Sequence, residues 1–183
     1  MVMSTRLKRL FDVVGALGGL VFFAPAMAAI AAAILLSDGR PVLFRQPRLG
    51  RGRQPFTILK FRSMRDGAIT GVGRVLRSTG LDELPQLVNV LQGELSAVGP
   101  RPLTEDDVRR LGWADSACDF RWTVRPGLTG LAQVVGTRSA RHALHLDRYY
   151  IVRQHLRLDV WLIAWSFAIN VLGKRRVQRL IAL

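Results

Sequence analysis

The sequence predicts a mainly α-helical domain with one small β-hairpin, attached to a membrane by its N-terminus. Three observations predict it. An uncharged apolar run extends from Val13 to Leu36, longer than the roughly 20 residues that cross a bilayer as a helix. Two short apolar stretches, Val42-Leu43-Phe44 and Phe56-Thr57-Ile58-Leu59, flank a Gly50-Arg51-Gly52-Arg53 turn, which is the pattern of a hairpin. Further on, apolar residues recur mostly at helical spacing. At 183 residues, 49% of them hydrophobic, the chain has the size of one domain, residues 1–183, with a membrane helix at 7–36 and the remainder at 41–183.

The N-terminal run is not a plain span. Pro25 stands in its middle, where a proline removes a helical hydrogen bond and predicts a kink or break. Both flanks are basic: Arg6, Lys8 and Arg9 precede the run, and Arg40, Arg45, Arg48, Arg51 and Arg53 follow it. Positive flanks favour the cytoplasmic side. A re-entrant helix that turns at Pro25 and leaves on the side it entered satisfies both facts. A single span and a cleaved signal peptide ending at Ala26-Met27-Ala28 are the competing readings.

After the hairpin, Gly67, Gly71 and Gly73 predict a loop. Leu81 to Leu95 predicts a helix with Leu84, Leu87, Val88 and Leu91 on one face. Thr104 caps a short helix that has Glu105, Asp106 and Asp107 in its first turn, where acids suit the dipole. Residues 142–158 are amphipathic. Val160 to Gly173 is uncharged but too short to span; Trp161 and Trp165 suit an interface or a core, and Lys174, Arg175 and Arg176 follow.

Charge and composition narrow the function classes. Lys and Arg number 27 against 13 Asp and Glu, a net charge of +14, so an anionic partner is expected: nucleic acid, a membrane face or a phosphorylated substrate. The single cysteine, Cys118, excludes an internal disulfide. His142 and His145 share a helix face, but they lack the further ligands of a zinc site. There is no Walker A sequence.

The Leu81-Asp82-Glu83-Leu84-Pro85-Gln86 stretch carries two adjacent carboxylates. Alone, it reads as a helix N-terminus stabilised by acids. Its company adds a second reading, a nucleophile or a metal-binding pair, for which an ionised carboxylate is required. Arg101 is locked between Pro100 and Pro102, a rigid cation suited to phosphate. Lys60, Arg62 and Arg125 supply further cations. Two acids amid fixed cations suit phosphate-ester transfer, whereas a nucleic-acid surface favours dispersed cations and exposed aromatics.

The motifs KRLFDVV (Lys8 to Val14), the apolar run with Pro25, PVLFRQPRLGRGRQPFTILKFRSM (Pro41 to Met64), LDELPQLVNVLQGELSAVGPRP (Leu81 to Pro102) and VRPGLTGLAQVVG (Val124 to Gly136) occur in this order. In these the chain resembles the bacterial sugar transferases, monotopic phosphoglycosyl transferases that use a polyprenol phosphate acceptor. The resemblance covers nearly the whole length. It implies Mg²⁺, a UDP-sugar donor and a polyprenol (undecaprenyl) phosphate acceptor, and a ping-pong reaction. Asp82 would be the nucleophile, with Glu83 as its acid-base or metal-orienting partner. Asp82 and Glu83 would hold the metal, Arg101 would clamp phosphate, and Lys60, Arg62 and Arg125 would make weaker contacts. It further implies a minimal catalytic unit on the cytoplasmic face of a bacterial inner membrane, in contact with membrane lipid, with no nucleic-acid partner and with room for a homodimer. The family often has Ser before the break-forming Pro, where this chain has Ala24, so any break is stabilised differently. The rival classes are a membrane-tethered nucleic-acid binder and a non-catalytic scaffold.

Overall fold

A computed structural model describes residues 4–137 and 139–173; the basic Lys174-Arg175-Arg176 run lies outside them. In chain order the elements are α1 (Thr5–Asp38), β1 (Leu43–Leu49), β2 (Pro55–Phe61), β3 (Met64–Arg65), β4 (Ala68–Ile69), α2 (Gly71–Thr79), α3 (Gln86–Gln92), β5 (Ser96–Val98), α4 (Glu105–Leu111), β6 (Gly127–Thr129), α5 (Leu131–Val135), α6 (Ala140–Arg153) and α7 (Leu156–Leu172). The strands form three small pairs: β1–β2 and β3–β4 antiparallel, β5–β6 parallel. The mainly helical class with a small hairpin is observed.

Helix α1 begins at Ser4, whose side chain accepts from the Leu7 N–H, and runs unbroken through Pro25 to Asp38. The break predicted at Pro25 is absent from the helix. A proline in a helix interior costs about 3 kcal/mol, and packing on both sides of it opposes that cost. On the N-terminal side Ala16 joins Phe56, Ile58, Val90 and Leu95 in one core cluster, and on the C-terminal side Ile34 joins Phe61 and Leu76 in another, with Met27, Ile30 and Ala31 alongside. At 1.5 Å per residue, Ala16 and Ile34 stand about 27 Å apart, yet both pack on the one body built around β2 and α3. Between them Val21 and Phe22 are 70% and 76% exposed. Exposed Val14, Leu17, Leu36 and, on α7, Val160 and Phe167 extend this apolar surface. Contiguous apolar exposure of this kind marks an interaction surface.

The hairpin strands are longer than the apolar stretches that announced them. They pair in register from Leu43↔Phe61 to Leu49↔Pro55 and close through a short 3-10 turn at Arg51–Arg53. The Gly67–Gly73 stretch is a hairpin tip followed by helix α2 where a loop was predicted. Thr70 caps α2 by accepting from the Gly73 N–H. A Cβ at Gly73 would lie 2.0 Å from the Ser63 carbonyl oxygen, so this residue trades helix propensity for close packing. The single helix predicted over Leu81–Leu95 is a 3-10 turn, Leu81–Glu83, followed by α3. Thr104 and Asp107 form a full capping box at α4. The amphipathic 142–158 stretch divides at Gln154, and His155 caps α7. His142 and His145 are exposed on α6, as polar positions of an amphipathic helix. Trp161 is 40% exposed and meets Trp165 edge-to-face at 5.8 Å, while Trp165 packs on the core cluster of Val98, Val134, Tyr150 and Leu162.

A buried ionic cluster fixes α1 to the rest. The Lys8 ammonium lies 3.1 Å from Asp12 and 2.8 Å from Asp159. The Ala97 N–H donates to Asp12, and the Tyr150 hydroxyl to Asp159. Two carboxylates thus share one cation. Lys8→Met strands both acids and is expected to lower unfolding free energy by about 3–5 kcal/mol. Asp159→Asn, which leaves one acid per cation, should cost clearly less. Denaturant unfolding in detergent followed by fluorescence checks this, and equal losses would contradict the charge arithmetic.

Candidate active site

The Asp82–Glu83 pair sits in the 3-10 turn between α2 and α3. Gly80 enters that turn with φ +73°, and a Cβ there would lie 2.6 Å from the Asn170 side chain of α7. The left-handed backbone and the close approach both call for glycine. The turn lies against β2, where the Lys60 ammonium is 2.6 Å from a Glu83 oxygen. The Glu83 side chain is 42% exposed. An ion pair this open is worth at most about 1 kcal/mol, so an incoming anion exchanges for it at little cost. Burial, and then the Glu83 charge, raises the Asp82 carboxyl above its ordinary range; Lys60 and Arg77 oppose this. A helix N-terminus would have kept Asp82 readily ionised, but in the observed turn its ionisation relies on those cations.

Cations line the same side of the hairpin. Phe56, Ile58 and Lys60 alternate along β2, and their partners on β1 are Arg48, Gln46 and Phe44, so these six residues share one face. Arg48 donates to Gln46, to the Pro102 carbonyl and to Asp107 at 2.6, 3.2 and 3.3 Å. Burial and the nearby Arg101 lower its pKa, against the fields of Asp107 and Glu83. Arg48 therefore lies within electrostatic reach of both Glu83 and Arg101.

Arg101 is exposed, and its guanidinium makes no hydrogen bond or ion pair among the described residues, whereas its backbone is held tightly. The carbonyls of Pro100, Arg101 and Pro102 accept from the Gly127 N–H at 2.9 Å, from Arg121 at 2.5 Å and from Arg48 at 3.2 Å. A Cβ on Gly127 would lie 2.0 Å from the Gly99 nitrogen, so the two glycine-containing loops cross backbone to backbone. Arg121 is buried, pairs with Asp147 at 2.8 Å and lies 5.2 and 5.4 Å from the ring centres of Trp113 and Trp122. A fixed backbone carrying a free guanidinium suits phosphate recognition.

The other predicted cations have partners elsewhere. Arg62 donates to the Asp38 and Gly39 carbonyls at 2.7 and 2.6 Å, where a cation suits the C-terminus of α1. Arg125 donates to the Gly93 carbonyl at 2.7 Å, at the end of α3 away from Asp82. Pro25 lies in the exposed middle of α1. Arg48, Gln46, Arg77, Arg121 and Asp147 were not singled out from sequence. Period-two alternation across the hairpin could have found Arg48 and Gln46, but no local signal marks the Arg121–Asp147 pair. Among the described residues no group of three or more His, Cys, Asp or Glu is placed to hold a metal. Asp82 and Glu83 form a two-carboxylate donor set, which fits Mg²⁺ when substrate phosphates and waters complete its shell.

The chain is similar to known proteins over most of its length. The model of the bacterial sugar transferase family matches residues 3–173. The chain is 42% identical over 170 residues to a UDP-glucose:undecaprenyl-phosphate glucose-1-phosphate transferase of Caulobacter vibrioides, covering 84% of this chain and 63% of that protein. It is 36% identical over 184 residues to the exopolysaccharide production protein ExoY of Rhizobium meliloti, covering 84% and 80%. It is 38% identical over 176 residues to a UDP-N-acetylgalactosamine-undecaprenyl-phosphate N-acetylgalactosaminephosphotransferase of Aeromonas hydrophila, covering 86% and 42%. The chain thus spans under two thirds of the first and last of these.

The electrostatics of the turn can be read directly by carboxyl NMR of aspartate-labelled protein. Asp82 is expected to titrate above the ordinary value of about 3.9. Lys60→Met should raise its midpoint further, and Glu83→Gln should lower it. A midpoint unmoved by either change would mean that these side chains do not set the charge of Asp82.

Proposed function

This chain belongs to the bacterial sugar transferase family, and from that premise we propose that it transfers a sugar 1-phosphate from a UDP-sugar to a polyprenol phosphate. The products are a lipid-diphospho-sugar and UMP, the first membrane step of a bacterial exopolysaccharide or glycoconjugate pathway. The observation that carries this reading is the half-buried Asp82–Glu83 turn, with Lys60 paired to Glu83 and with Arg48 within electrostatic reach of both Glu83 and the backbone-locked Arg101. The substrates named for the relatives, UDP-sugars and undecaprenyl phosphate, support its chemical class.

An Asp82 oxygen attacks the phosphorus that bears the sugar. A P–O bond forms to the carboxylate, and the bond from that phosphorus to the oxygen bridging to the uridine phosphate breaks, so UMP leaves with the electron pair. An oxygen of the lipid phosphate then attacks the same phosphorus, and the acyl–phosphate bond breaks to restore the Asp82 carboxylate. One difficult transfer becomes two easier ones. Lys60 and Arg77 favour the ionised nucleophile. Lys60 exchanges its ion pair with Glu83 for contact with the incoming phosphates, and the released Glu83 handles protons there. Arg101 meets phosphate oxygens with a guanidinium whose backbone is already ordered, which reduces the entropy lost on binding. Mg²⁺ held by Asp82 and Glu83 would neutralise diphosphate charge.

The site belongs at a membrane surface because one substrate is soluble and the other is a lipid. The proposed placement is the cytoplasmic face of the inner membrane, with both ends of α1 on that side and its exposed middle, around Val21 and Phe22, dipping into the lipid without a break. Both ends of α1 pack on one body, and both flanks are basic, which supports entry and exit on one side. Cysteines introduced singly at Ser4 and Ser37, with Cys118→Ala as background, should both react with an impermeant maleimide in inside-out vesicles and neither in right-side-out vesicles. Labelling of the two from opposite sides would exclude re-entry.

Nucleotide release from a panel of UDP-sugars, with Mg²⁺, undecaprenyl phosphate and nanodisc-held protein, tests the chemistry. Wild type should release UMP from at least one donor, and Asp82→Asn should lower that rate by several orders of magnitude. A mutant with wild-type turnover would remove Asp82 as nucleophile.

A further inference from the structure

A cavity of about 490 Å³ lies between α1, α3 and α7, inside the roughly 300–1,000 Å³ range of ligand sites. Glu83 and Leu84 line one part of it; Ala16, Leu87, Leu128 and Phe167 give it an apolar wall. Phe167 is 66% exposed, and on α1 so is Val14 at 62%, so the wall continues onto the apolar outer surface of α1 and α7. Its polar groups are a minority of the lining: Thr129 bonds Ser166, and Asp12 is held by Lys8 and the Ala97 N–H, while Gln133 Oε1 and the second Asp12 oxygen have no hydrogen-bond partner among the described residues.

We propose that this groove holds the phosphate-proximal isoprenoid units of the acceptor lipid, an inference that rests on the phosphoglycosyl transfer reading. Three facts select this occupant. The groove reaches Glu83, so a chain lying in it delivers its phosphate head to the Asp82 turn. Its apolar wall suits a hydrocarbon and gives a uridine or sugar little to hydrogen-bond. It opens beside the exposed apolar residues Val14 and Phe167, so a membrane seated on that surface would let the chain enter sideways without crossing water. A two-chain phospholipid would bring a phosphodiester to the turn, which cannot serve as the attacking phosphate monoester.

Glycine geometry supplies a test free of misfolding. Gly15 lines the groove, and a Cβ on it would meet no atom within 4 Å; Gly18 has the same freedom but does not line the groove. Leucine at either position removes a helix glycine, a change that favours the helix by up to about 1 kcal/mol. Only Gly15→Leu fills the groove.

The experiment uses the full chain in nanodiscs with undecaprenyl phosphate and a diazirine-bearing undecaprenyl phosphate. Wild type and Gly18→Leu should be photolabelled on α1, α3 or α7, and their labelling should resist competing phosphatidylglycerol. Gly15→Leu should lose most labelling and show an acceptor KM raised tenfold or more, while UMP release from donor alone stays at the wild-type level. Unchanged labelling and KM in Gly15→Leu would overturn the proposal, as would equal competition by phosphatidylglycerol. Groove labelling in a wild type that releases no UMP would leave the lipid site standing and sink the transferase reading. Turnover that depends on Asp82 without groove labelling would do the reverse.

Discussion

The buried Lys8–Asp12–Asp159 cluster is the constraint on which the other contacts depend. Desolvating three charges costs several kcal/mol per ion, and the cluster offsets that cost with the shared Lys8 cation and donors aimed at both carboxylates. The Ala97 N–H solvates Asp12, and the Tyr150 hydroxyl solvates Asp159. Burial, together with the Asp159 charge, drives the Tyr150 phenol far above its usual pKa, so it serves as a donor. These four side chains come from α1, α6 and α7 and converge on β5. The cluster fixes both the rotation and the height of α1. From that setting Arg9 reaches the Val90 and Leu91 carbonyls at the C-terminus of α3, at 2.5 and 2.7 Å, and Gly19 lets α1 close on Leu87. Helix α3 in turn anchors the Asp82 turn. A polar cluster far along the chain from the site therefore sets where the carboxylates stand.

Asn89 continues that logic on the other side of α3. It is buried, accepts from the Leu59 N–H at 3.1 Å and donates to the Thr57 carbonyl at 2.8 Å. Its side chain acts as a short piece of strand along the edge of β2. It fixes the register between the helix that follows Asp82 and the strand that carries Lys60. The helix face predicted from Leu84, Leu87, Val88 and Leu91 is only partly buried, and the deepest positions are Gln86, Asn89 and Val90. Apolar spacing located the helix, but its deepest positions include two amides, because Asn89 docks on the backbone edge of β2 while Val90 packs in the apolar core.

How much was legible follows from the range of the interactions. Thr104 announced a helix cap because capping acts over three residues. The hairpin was legible at its apolar ends, but Arg45-Gln46-Pro47-Arg48 hid the rest of β1, since Gln46 and Arg48 share the face of Lys60 while Arg45 and Pro47 lie on the other. Gly71 and Gly73 concealed α2, whose formation depends on contact with Ser63. The adjacent carboxylates stood out, and the structure sets them in a 3-10 turn beside Lys60, a partner 23 residues away. Arg62 and Arg125 read as phosphate contacts because they are cations near motifs. The carbonyls that they bind are backbone atoms, which a sequence does not display as partners.

That last point bears on what a charge of +14 means. Charge alone called for an anionic partner of matching size. In the structure, Arg9, Arg48, Arg62, Arg121 and Arg125 each donate to a main-chain carbonyl. Arg9, Arg62 and Arg125 do so at or just past the C-terminus of a helix. A guanidinium offers five donors in a planar fork, so one side chain can terminate a helix or hold a loop where no backbone donor is at hand. These arginines act as structural cement whose partner is the protein's own backbone. At the Asp82 turn the cations offered to substrate are few and held: Lys60 paired with Glu83, and Arg101 with its guanidinium exposed and its backbone pinned at three successive carbonyls. A phosphate arriving at the Asp82 turn meets cations already held in place by those contacts, so the ordering entropy of the binding groups has been met during folding.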